Sequence, residues 1–312
     1  MRTLVVGAGA TGGFFGGRLA QIGRDVTFLV RPARAEKLRR NGLEIVSPLG
    51  DATIQPQLIT IDELHAKPQP FDLILLAVKA YSLDQAINDL APAVGPETAI
   101  LPILNGMRQL DLLDARFGAE RVIGGTCRIN SDLDADGRVL QFSKLGDITF
   151  GQRNRERSPR IERIHTELSG ALFDVILSPD VLHAMWNKWY VLASLNTICI
   201  LPRGTCGEVV AAPYGLAFGN TGIDECIAIA TANGYPPPTD LIDWDRKRLL
   251  LPNSDLTSSM YRDMMKSAPV EADHIIGDLL ARGEAHNIAT PLLSATYVQL
   301  KVYETRRSSA GA

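Results

Sequence analysis

The chain has 312 residues, enough for about two domains, and its composition of 46% hydrophobic and 21% charged residues is ordinary for a globular protein. A formal net charge of −3 argues against nucleic acid as the main partner, because binding phosphates requires a basic excess on some face. Four cysteines without C-x-x-C spacing, and apolar runs far shorter than the ~20 residues of a membrane span, predict a cytoplasmic protein with reduced thiols, no metal site and no membrane insertion.

Short apolar strands alternate with helical segments over the first half of the chain. The predicted strands are 3–9, 25–31, 43–48, 52–60, 71–79, 98–106 and 122–130, followed by a hairpin over 137–152. The predicted helices between them are 14–23, 35–42, 82–94 and 109–118. This alternation predicts an α/β fold, a doubly wound domain with a parallel sheet.

The second half of the chain has helical periodicity in almost every segment from Pro179 onward. We therefore predict a domain boundary near 178–180, with an α/β domain at 1–178 and an all-α domain at 179–312. Ahead of this boundary, residues 152–163 are rich in arginine. Because acidic residues dilute them and no aromatic residues are interleaved, we interpret them as a solvated loop and helix face.

A glycine-rich turn follows the first predicted strand and opens the first helix. Its sequence GAGATG places Gly7, Gly9 and Gly12 in the G-x-G-x-x-G spacing, with Ala10 and Thr11 inside the turn. The three glycines permit a tight turn, close approach of a pyrophosphate and close packing of helix on strand. The turn predicts dinucleotide binding by a Rossmann-like domain.

The end of the second strand indicates which dinucleotide binds. An NAD site usually carries an acidic residue there for the ribose 2′-hydroxyl. This strand ends instead in Arg31, with Arg34 nearby, and a guanidinium can pair with a 2′-phosphate. We therefore predict NADP(H), with a surface arginine as the alternative.

Two polar residues follow buried strands, at the edge where an open α/β sheet binds its ligands. Lys79 comes after LILLAV and Asn105 after AILPIL. Each also has an ordinary structural explanation, because a lysine can extend its amine to solvent and an Asn-Gly pair often forms a turn. Both are candidate ligand-binding residues.

Three further residues in the helical half have side chains suited to catalysis. Lys188 lies among tryptophans, with Asn196 on roughly the same helix face, and an apolar setting can lower the pKa of a lysine so that it exchanges a proton. Glu271 lies in the first turn of a predicted helix, where acidic residues also stabilise the helix start. Ser259 lies in TSSMYRDM, where a serine that caps a helix is the ordinary alternative.

Taken in order along the chain, these segments resemble the ketopantoate reductase (2-dehydropantoate 2-reductase) family. The resemblance rests on motifs spread over nearly the whole chain: GAGATGG at 7–13, Arg31, LLAVKAYS with Lys79, LPILNGM with Asn105, WNKWYVLASLN with Lys188 and Asn196, SSMYRD with Ser259, and Glu271.

The resemblance implies a Rossmann-like domain and an all-α domain with the active site between them. It also implies that Lys188 is the general acid and that Glu271 orients the hydroxyl of the substrate. Asn105, Asn196 and Ser259 would bind substrate, and Asn105 would also contact the cofactor. NADPH would be held by the glycine turn, Arg31 and Lys79.

The sequence departs from the family pattern at positions that would face the substrate. Leu192 and Leu256 stand where ketopantoate-reducing members usually carry asparagine. We expect NADPH-dependent reduction of a small 2-keto acid, first of ketopantoate to pantoate in pantothenate biosynthesis. A different 2-oxo acid or ketone, and a non-catalytic NADP(H) sensor, are the alternatives. Because dimers are the commonest assembly, we also expect a homodimer.

Overall fold

The computed structural model describes Met1–Ala310, which form two compact units. The α/β unit comprises Met1–Leu104 and Gln109–Ala184, and the helical unit comprises Asn105–Arg108 and the described residues from Met185 onward. The division falls inside a helix that begins at Val181, rather than at 178–180. Val181 belongs with the first unit because it packs tightly against Gly124 and Gly151, where a Cβ would lie 2.5 Å and 3.3 Å from its side chain.

The α/β unit begins with the alternating elements that the sequence predicts. In chain order its elements are β1 (Arg2–Val6), α1 (Ala10–Gln21), β2 (Asp25–Val30), α2 (Pro32–Asn41), β3 (Leu43–Val46), β4 (Ala52–Ile54), β5 (Gln57–Thr60), α3 (Ile61–Ala66), β6 (Leu73–Leu76), α4 (Leu83–Leu90), β7 (Ala99–Pro102), α5 (Arg108–Phe117), β8 (Gly124–Leu133), β9 (Val139–Gly151), α6 (Pro159–Leu168) and β10 (Asp174–Leu177). The predicted fold class, an α/β domain with a parallel sheet followed by helices, is confirmed.

The first sheet is wholly parallel and has the strand order β5-β2-β1-β6-β7. The chain starts in the centre of this sheet, winds to one edge, and returns at β6 to continue on the other side. Strands β1 and β6 are therefore neighbours at the point where the winding reverses, with Val6 opposite Leu76. Ligands of open α/β sheets bind at such a reversal, outside the carboxyl ends of the strands.

The second sheet has the order β10-β9-β3-β4, with β8 paired antiparallel to β9. The hairpin predicted within 137–152 is wrong, because these residues form the single strand β9. Gly146 does not turn the chain but lies opposite Ile129 in the ladder. The turn comes earlier, where the carboxylate of Asp134 accepts hydrogen bonds from the Arg138 backbone N–H (2.8 Å) and side chain (2.6 Å).

Aromatic side chains dominate the core of the α/β unit. Phe14, Phe15, Phe28 and Phe150 are fully buried, and burying each such side chain stabilises the fold by roughly 1.5–3 kcal/mol. Helix α1 can approach the sheet closely because Gly16 faces Phe28, where a Cβ would lie 2.8 Å from the ring. This packing fixes the helix that follows the glycine turn.

The arginine-rich segment at 152–163 is bound largely by the protein itself. Arg153 pairs with both carboxylate oxygens of Asp114 at 2.7 and 2.8 Å. Arg160 donates to the backbone carbonyls of Thr98 (2.9 Å) and Glu120 (2.7 Å). The segment is a loop and helix start, as interpreted, but Arg153 and Arg160 bond to the protein and are not simply solvated.

The helical unit contains α7 (Val181–Ile200), α8 (Cys206–Ala211), α9 (Gly215–Ala232), α10 (Thr239–Leu249), α11 (Ser259–Met265), a π-helical segment (Asp273–Gly277), α12 (Asp278–Glu284) and α13 (Pro291–Ala310). Residues such as Ile198, Cys199, Ile223 and Leu249 form an apolar cluster at its core. All four cysteines of the chain are buried free thiols. Within the described residues, no helix is both long enough and apolar enough to cross a bilayer. The last two residues, 311 and 312, lie outside the described range.

Candidate functional site

The glycine turn between β1 and α1 is tightly packed against the end of β6. Gly7 adopts φ +99°, and a Cβ on it would lie 3.1 Å from the carbonyl oxygen of Ala77. A Cβ on Gly12 would lie 2.0 Å from the carbonyl oxygen of Gly7. Only glycine lets α1 start this close to the strand, which is the packing that a dinucleotide-binding turn requires.

The start of α1 has the features of an anion site. Gly9 is the N-cap of the helix, and among the described residues neither a capping side chain nor an acidic residue stands at this helix start. Apart from its two chain neighbours, no atom of the described residues lies within 4 Å of a Cβ placed on Gly9. The first N–H groups of the helix, including those of Ala10 and Thr11, have no partner in the helix and lie at the positive end of its dipole. The residues present therefore fit a dinucleotide pyrophosphate.

Two arginines near the end of β2 differ in their availability to a ligand. Arg31 is exposed and is the N-cap of α2, whose first turn contains no acidic residue in the described structure. Arg34 instead donates to the carbonyl of Gly137 at 3.0 Å, and burial lowers the pKa of its guanidinium. Arg31 is the better placed of the two to meet a 2′-phosphate.

Lys79 follows the end of β6, the strand beside β1. It is exposed, and its carbonyl accepts a hydrogen bond from Ser82 N–H (2.9 Å) in the 3₁₀ turn Ala80–Ser82. Because β1 and β6 are parallel neighbours, Lys79 and the glycine turn lie at the same edge of the sheet. That edge is where the winding reverses.

In the helical unit, Lys188 and Asn105 form a direct pair. The ammonium Nζ of Lys188 donates a hydrogen bond to Oδ1 of Asn105 at 2.8 Å. Both residues are half-buried, Lys188 on α7 and Asn105 in the turn that follows β7. The structure thus joins two residues that the sequence singles out 83 positions apart. A lysine ammonium has three N–H donors and can therefore bond more than one acceptor.

Asn196 lies two helical turns after Lys188 and is fully buried. Its amide Nδ2 donates to the carbonyl of Leu192 at 2.8 Å, whereas its Oδ1 has no hydrogen-bond partner among the described residues. A buried acceptor without a donor costs about 1–3 kcal/mol. A donor from substrate or water would remove that cost. Leu192 itself is half-buried and lies one turn from Lys188.

The two serines at the start of α11 have different roles. Ser258 is the cap, because its Oγ accepts a hydrogen bond from Tyr261 N–H at 3.0 Å. The capping alternative considered for Ser259 thus applies to its neighbour, and Ser259 is the half-buried first residue of the helix. The side chain of Leu256 packs against the apolar cluster that contains Ile198.

Glu271 is a buried carboxylate two residues before the π-helical segment Asp273–Gly277, with 8% of its surface exposed. The sequence predicts Glu271 inside the first helical turn, but it precedes the helix, and its carbonyl accepts from Ile275 N–H at 3.0 Å. Its negative charge acts on His274, where it opposes the lowering of the pKa by burial. Carboxylates are seldom buried to this extent unless they pair with a polar or charged group.

Sequence reasoning missed two residues of this site. The imidazole of His274 is buried and hydrogen-bonds the backbone of Asn105. The indole Nε1 of Trp189 donates to the carbonyl of Ile275 at 2.9 Å, next to His274. The only available signals were a lone histidine in an apolar helical stretch after Glu271, and a tryptophan adjacent to Lys188.

Comparison with known proteins places the chain in a family. The model for "Ketopantoate reductase PanE/ApbA" matches residues 3–155, and that for "Ketopantoate reductase PanE/ApbA C terminal" matches residues 180–304. The uncharacterized oxidoreductase YkpB of Bacillus subtilis (strain 168) is 36% identical over 307 residues, which cover 98% of this chain and 100% of that protein.

Solved structures give the same result. The crystal structure of 2-dehydropantoate 2-reductase from Geobacter metallireducens GS-15 superposes with a TM-score of 0.87 at 28% identity, covering 96% of this chain and 99% of that one. A structure of D-mandelate dehydrogenase with NADH and anilino(oxo)acetate has a TM-score of 0.87 at 20% identity, covering 98% and 99%. This last likeness is one of fold alone. With both family models matched in order, the chain belongs to the ketopantoate reductase family and is an oxidoreductase acting on CH–OH groups.

Proposed function

We propose that this enzyme reduces a 2-oxo acid to the 2-hydroxy acid with NADPH, and that Lys188 supplies the proton. The observation that carries the proposal is the 2.8 Å hydrogen bond between Lys188 Nζ and Asn105 Oδ1, in a chain whose family consists of oxidoreductases. The amide oxygen of Asn105 accepts from the half-buried ammonium and thereby holds Lys188 Nζ in a fixed position. This arrangement suits a general acid.

The residues of the chain divide the reaction between binding and proton transfer. The N–H groups at the start of α1 and the guanidinium of Arg31 bind the dinucleotide phosphates, with Lys79 beside them. When bound, the dinucleotide supplies the hydride that reaches the carbonyl carbon. Lys188 stabilises the charge that develops on the carbonyl oxygen and transfers its proton there. Asn105 orients Lys188, and Glu271, Asn196 and Ser259 hold the polar groups of the substrate.

Arg31→Ala is expected to raise the Kd for NADPH about 10- to 100-fold, because a hydrogen bond to a charged group contributes about 1.5–3 kcal/mol. The Kd for NADH should stay unchanged, since NADH has no 2′-phosphate. Fluorescence titration with both dinucleotides measures the effect. Arg40→Ala, an exposed arginine at the far end of α2, is the matched control. Wild-type protein that binds NADH as tightly as NADPH would contradict the assignment.

The substrate has two candidates. Family membership favours ketopantoate, reduced to pantoate in pantothenate biosynthesis. Leu192 favours a 2-oxo acid with an apolar side chain, because it presents no hydrogen-bonding group one helical turn from Lys188. A site with no hydrogen-bonding group for a substrate hydroxyl does not favour that substrate over an analogue without the hydroxyl. The fold also occurs in a protein solved with anilino(oxo)acetate, a 2-oxo acid derivative that carries an aromatic group.

Leu192→Asn is expected to raise kcat/KM for ketopantoate relative to 3,3-dimethyl-2-oxobutanoate, its analogue without the hydroxyl group. The ratio should rise about 3- to 10-fold, because one added hydrogen bond contributes roughly 0.5–1.5 kcal/mol. Leu216→Asn, at an exposed leucine of α9, should leave the ratio unchanged. An unchanged ratio in Leu192→Asn would remove Leu192 from the substrate pocket.

The decisive experiment measures NADPH oxidation with a panel of 2-oxo acids and simple ketones. Highest kcat/KM on ketopantoate supports the first candidate, and highest kcat/KM on an apolar 2-oxo acid supports the second. Tight NADPH binding without turnover on any member of the panel would overturn the reductase proposal and favour an NADP(H) sensor.

A further inference from the structure

His274 lies in an unusual stretch of the helical unit. Residues Asp273–Gly277 form a π-helix, in which the N–H of Asp278 bonds the carbonyl of Asp273 five residues earlier. Such segments are rare and occur most often at functional sites. Only 5% of the surface of His274 is exposed. Burying its polar ring costs free energy unless a hydrogen-bond partner compensates.

That partner is the turn that carries Asn105. The imidazole of His274 hydrogen-bonds the backbone of Asn105, and the accepting group is the carbonyl because the bond raises the pKa of the ring. The next residue, Gly106, has φ +79°. A Cβ there would lie 3.0 Å from the His274 carbonyl oxygen and 3.3 Å from its ring Cδ2. The ring and backbone of His274 therefore hold this turn closely.

The π-helical segment is itself anchored to two helices. Trp189, the neighbour of Lys188 on α7, donates from Nε1 to the carbonyl of Ile275 at 2.9 Å. The hydroxyl of Tyr297 on α13 donates to Asp273 at 2.6 Å. His274 thus connects the anchored π-helical segment to the turn that contains Asn105, whose side chain accepts the hydrogen bond from Lys188.

The charges around His274 favour its neutral form. Burial lowers its pKa most, and the positive charge of Arg108 lowers it further, whereas Glu271, Asp278 and the bond to Asn105 oppose this effect. A neutral imidazole has one N–H donor, and the bond to Asn105 engages it. We therefore expect one neutral tautomer of the ring.

We infer that His274 is a positioning residue of the proposed reductase site: it holds the Asn105 backbone and thereby fixes the carboxamide that orients Lys188. This inference rests on the proposed function. It assigns to His274 no contact with substrate or cofactor. Its effect is expected in turnover rather than in dinucleotide binding.

The test compares His274→Phe, which keeps a ring but has no donor, with His274→Gln, which keeps an amide N–H donor. His274→Phe should lower kcat about 10- to 100-fold, because small displacements of catalytic groups cost this much. His274→Gln should restore most of the rate, and neither variant should change the Kd for NADPH. His286→Phe, at an exposed histidine of the same unit, is the control. Equal rates in the Phe variant and the wild type would overturn the inference.

A mutant cycle separates positioning from general destabilisation. If His274 acts through Asn105, adding His274→Phe to Asn105→Ala should lower kcat little further. Independent, multiplicative losses would overturn the inference. If the Phe variant does not fold, the ¹⁵N shifts of the wild-type ring decide instead. They should report one neutral tautomer at about pH 7, and protonation above the usual value of about 6.5 would overturn the inference.

Failure of the proposed function is recognised separately. In that case wild-type protein oxidises NADPH with no panel substrate, and Lys188→Ala changes nothing. Hydrogen exchange then still tests His274, because amides in residues 103–108 should exchange faster in the Phe variant than in the Gln variant. Identical exchange in both variants would overturn the positioning role.

Discussion

Lys188→Ala is expected to lower kcat by about 10²- to 10⁴-fold, the usual contribution of a general acid. The loss should fall on kcat, because the ammonium stabilises charge that appears only as the carbonyl is reduced. The Kd for NADPH should change little, since the glycine turn, Arg31 and Lys79, which are proposed to hold the dinucleotide phosphates, belong to the α/β unit. Single-turnover NADPH oxidation with the best substrate of the panel measures the effect.

The control for this prediction is Lys247→Ala, at an exposed lysine of α10 in the same unit. It should retain wild-type kcat. The fold of Lys188→Ala should survive, because Lys188 is half-buried and is not part of the fully buried core. Turnover within threefold of wild type would refute Lys188 as the acid. Loss of the circular-dichroism signal would instead show that the residue supports the fold.

Gly9→Ala and Gly12→Ala are both expected to weaken NADPH binding but to differ in their effect on stability. Gly9→Ala should keep the melting temperature, because within the described structure the added Cβ has only its chain neighbours within 4 Å. It should nevertheless raise the Kd for NADPH about 10- to 100-fold by obstructing bonds to phosphate. Gly12→Ala should also lower the melting temperature, since its Cβ would lie 2.0 Å from the Gly7 carbonyl oxygen. Overpacking of this kind costs about 1–3 kcal/mol, or roughly 2–12 °C.

Thermal melts and NADPH titration of the two variants give the result directly. Gly146→Ala in β9 is the control, because its Cβ would make ordinary contacts no closer than 3.4 Å. It should bind NADPH normally and melt near the wild-type temperature. If Gly9→Ala binds NADPH as wild type does, the turn does not hold the pyrophosphate.

The sequence predicts the first sheet well because its signals are local. The glycine turn, the apolar strand before Lys79 and the one before Asn105 each lie within a few residues of the feature they indicate. The hairpin predicted over 137–152 is wrong because β9 runs through these residues as one strand, with Gly146 paired to Ile129 of β8. Long-range pairing of this kind overrides local preference.

Several single residues of the site could be predicted from the sequence, but their spatial arrangement could not. Lys188 and Asn105 could each be found from their apolar surroundings, whereas the bond between them depends on the tertiary fold. His274 escaped notice because a single histidine in a helix has no distinguishing pattern. Its meaning depends on the π-helical hydrogen bond and on the Asn105 backbone, neither of which has a sequence signature.

The assignment of Asn105–Arg108 to the helical unit has a consequence for how this enzyme could be recombined. Four residues that belong structurally with α7 are encoded far upstream, between two segments of the α/β unit. A chimera made by exchanging everything after Ala184 with a relative would pair the incoming lysine with a native Asn105 turn. The turn and residues 185 onward therefore have to be exchanged together. The two structural units do not correspond to two contiguous segments of the sequence.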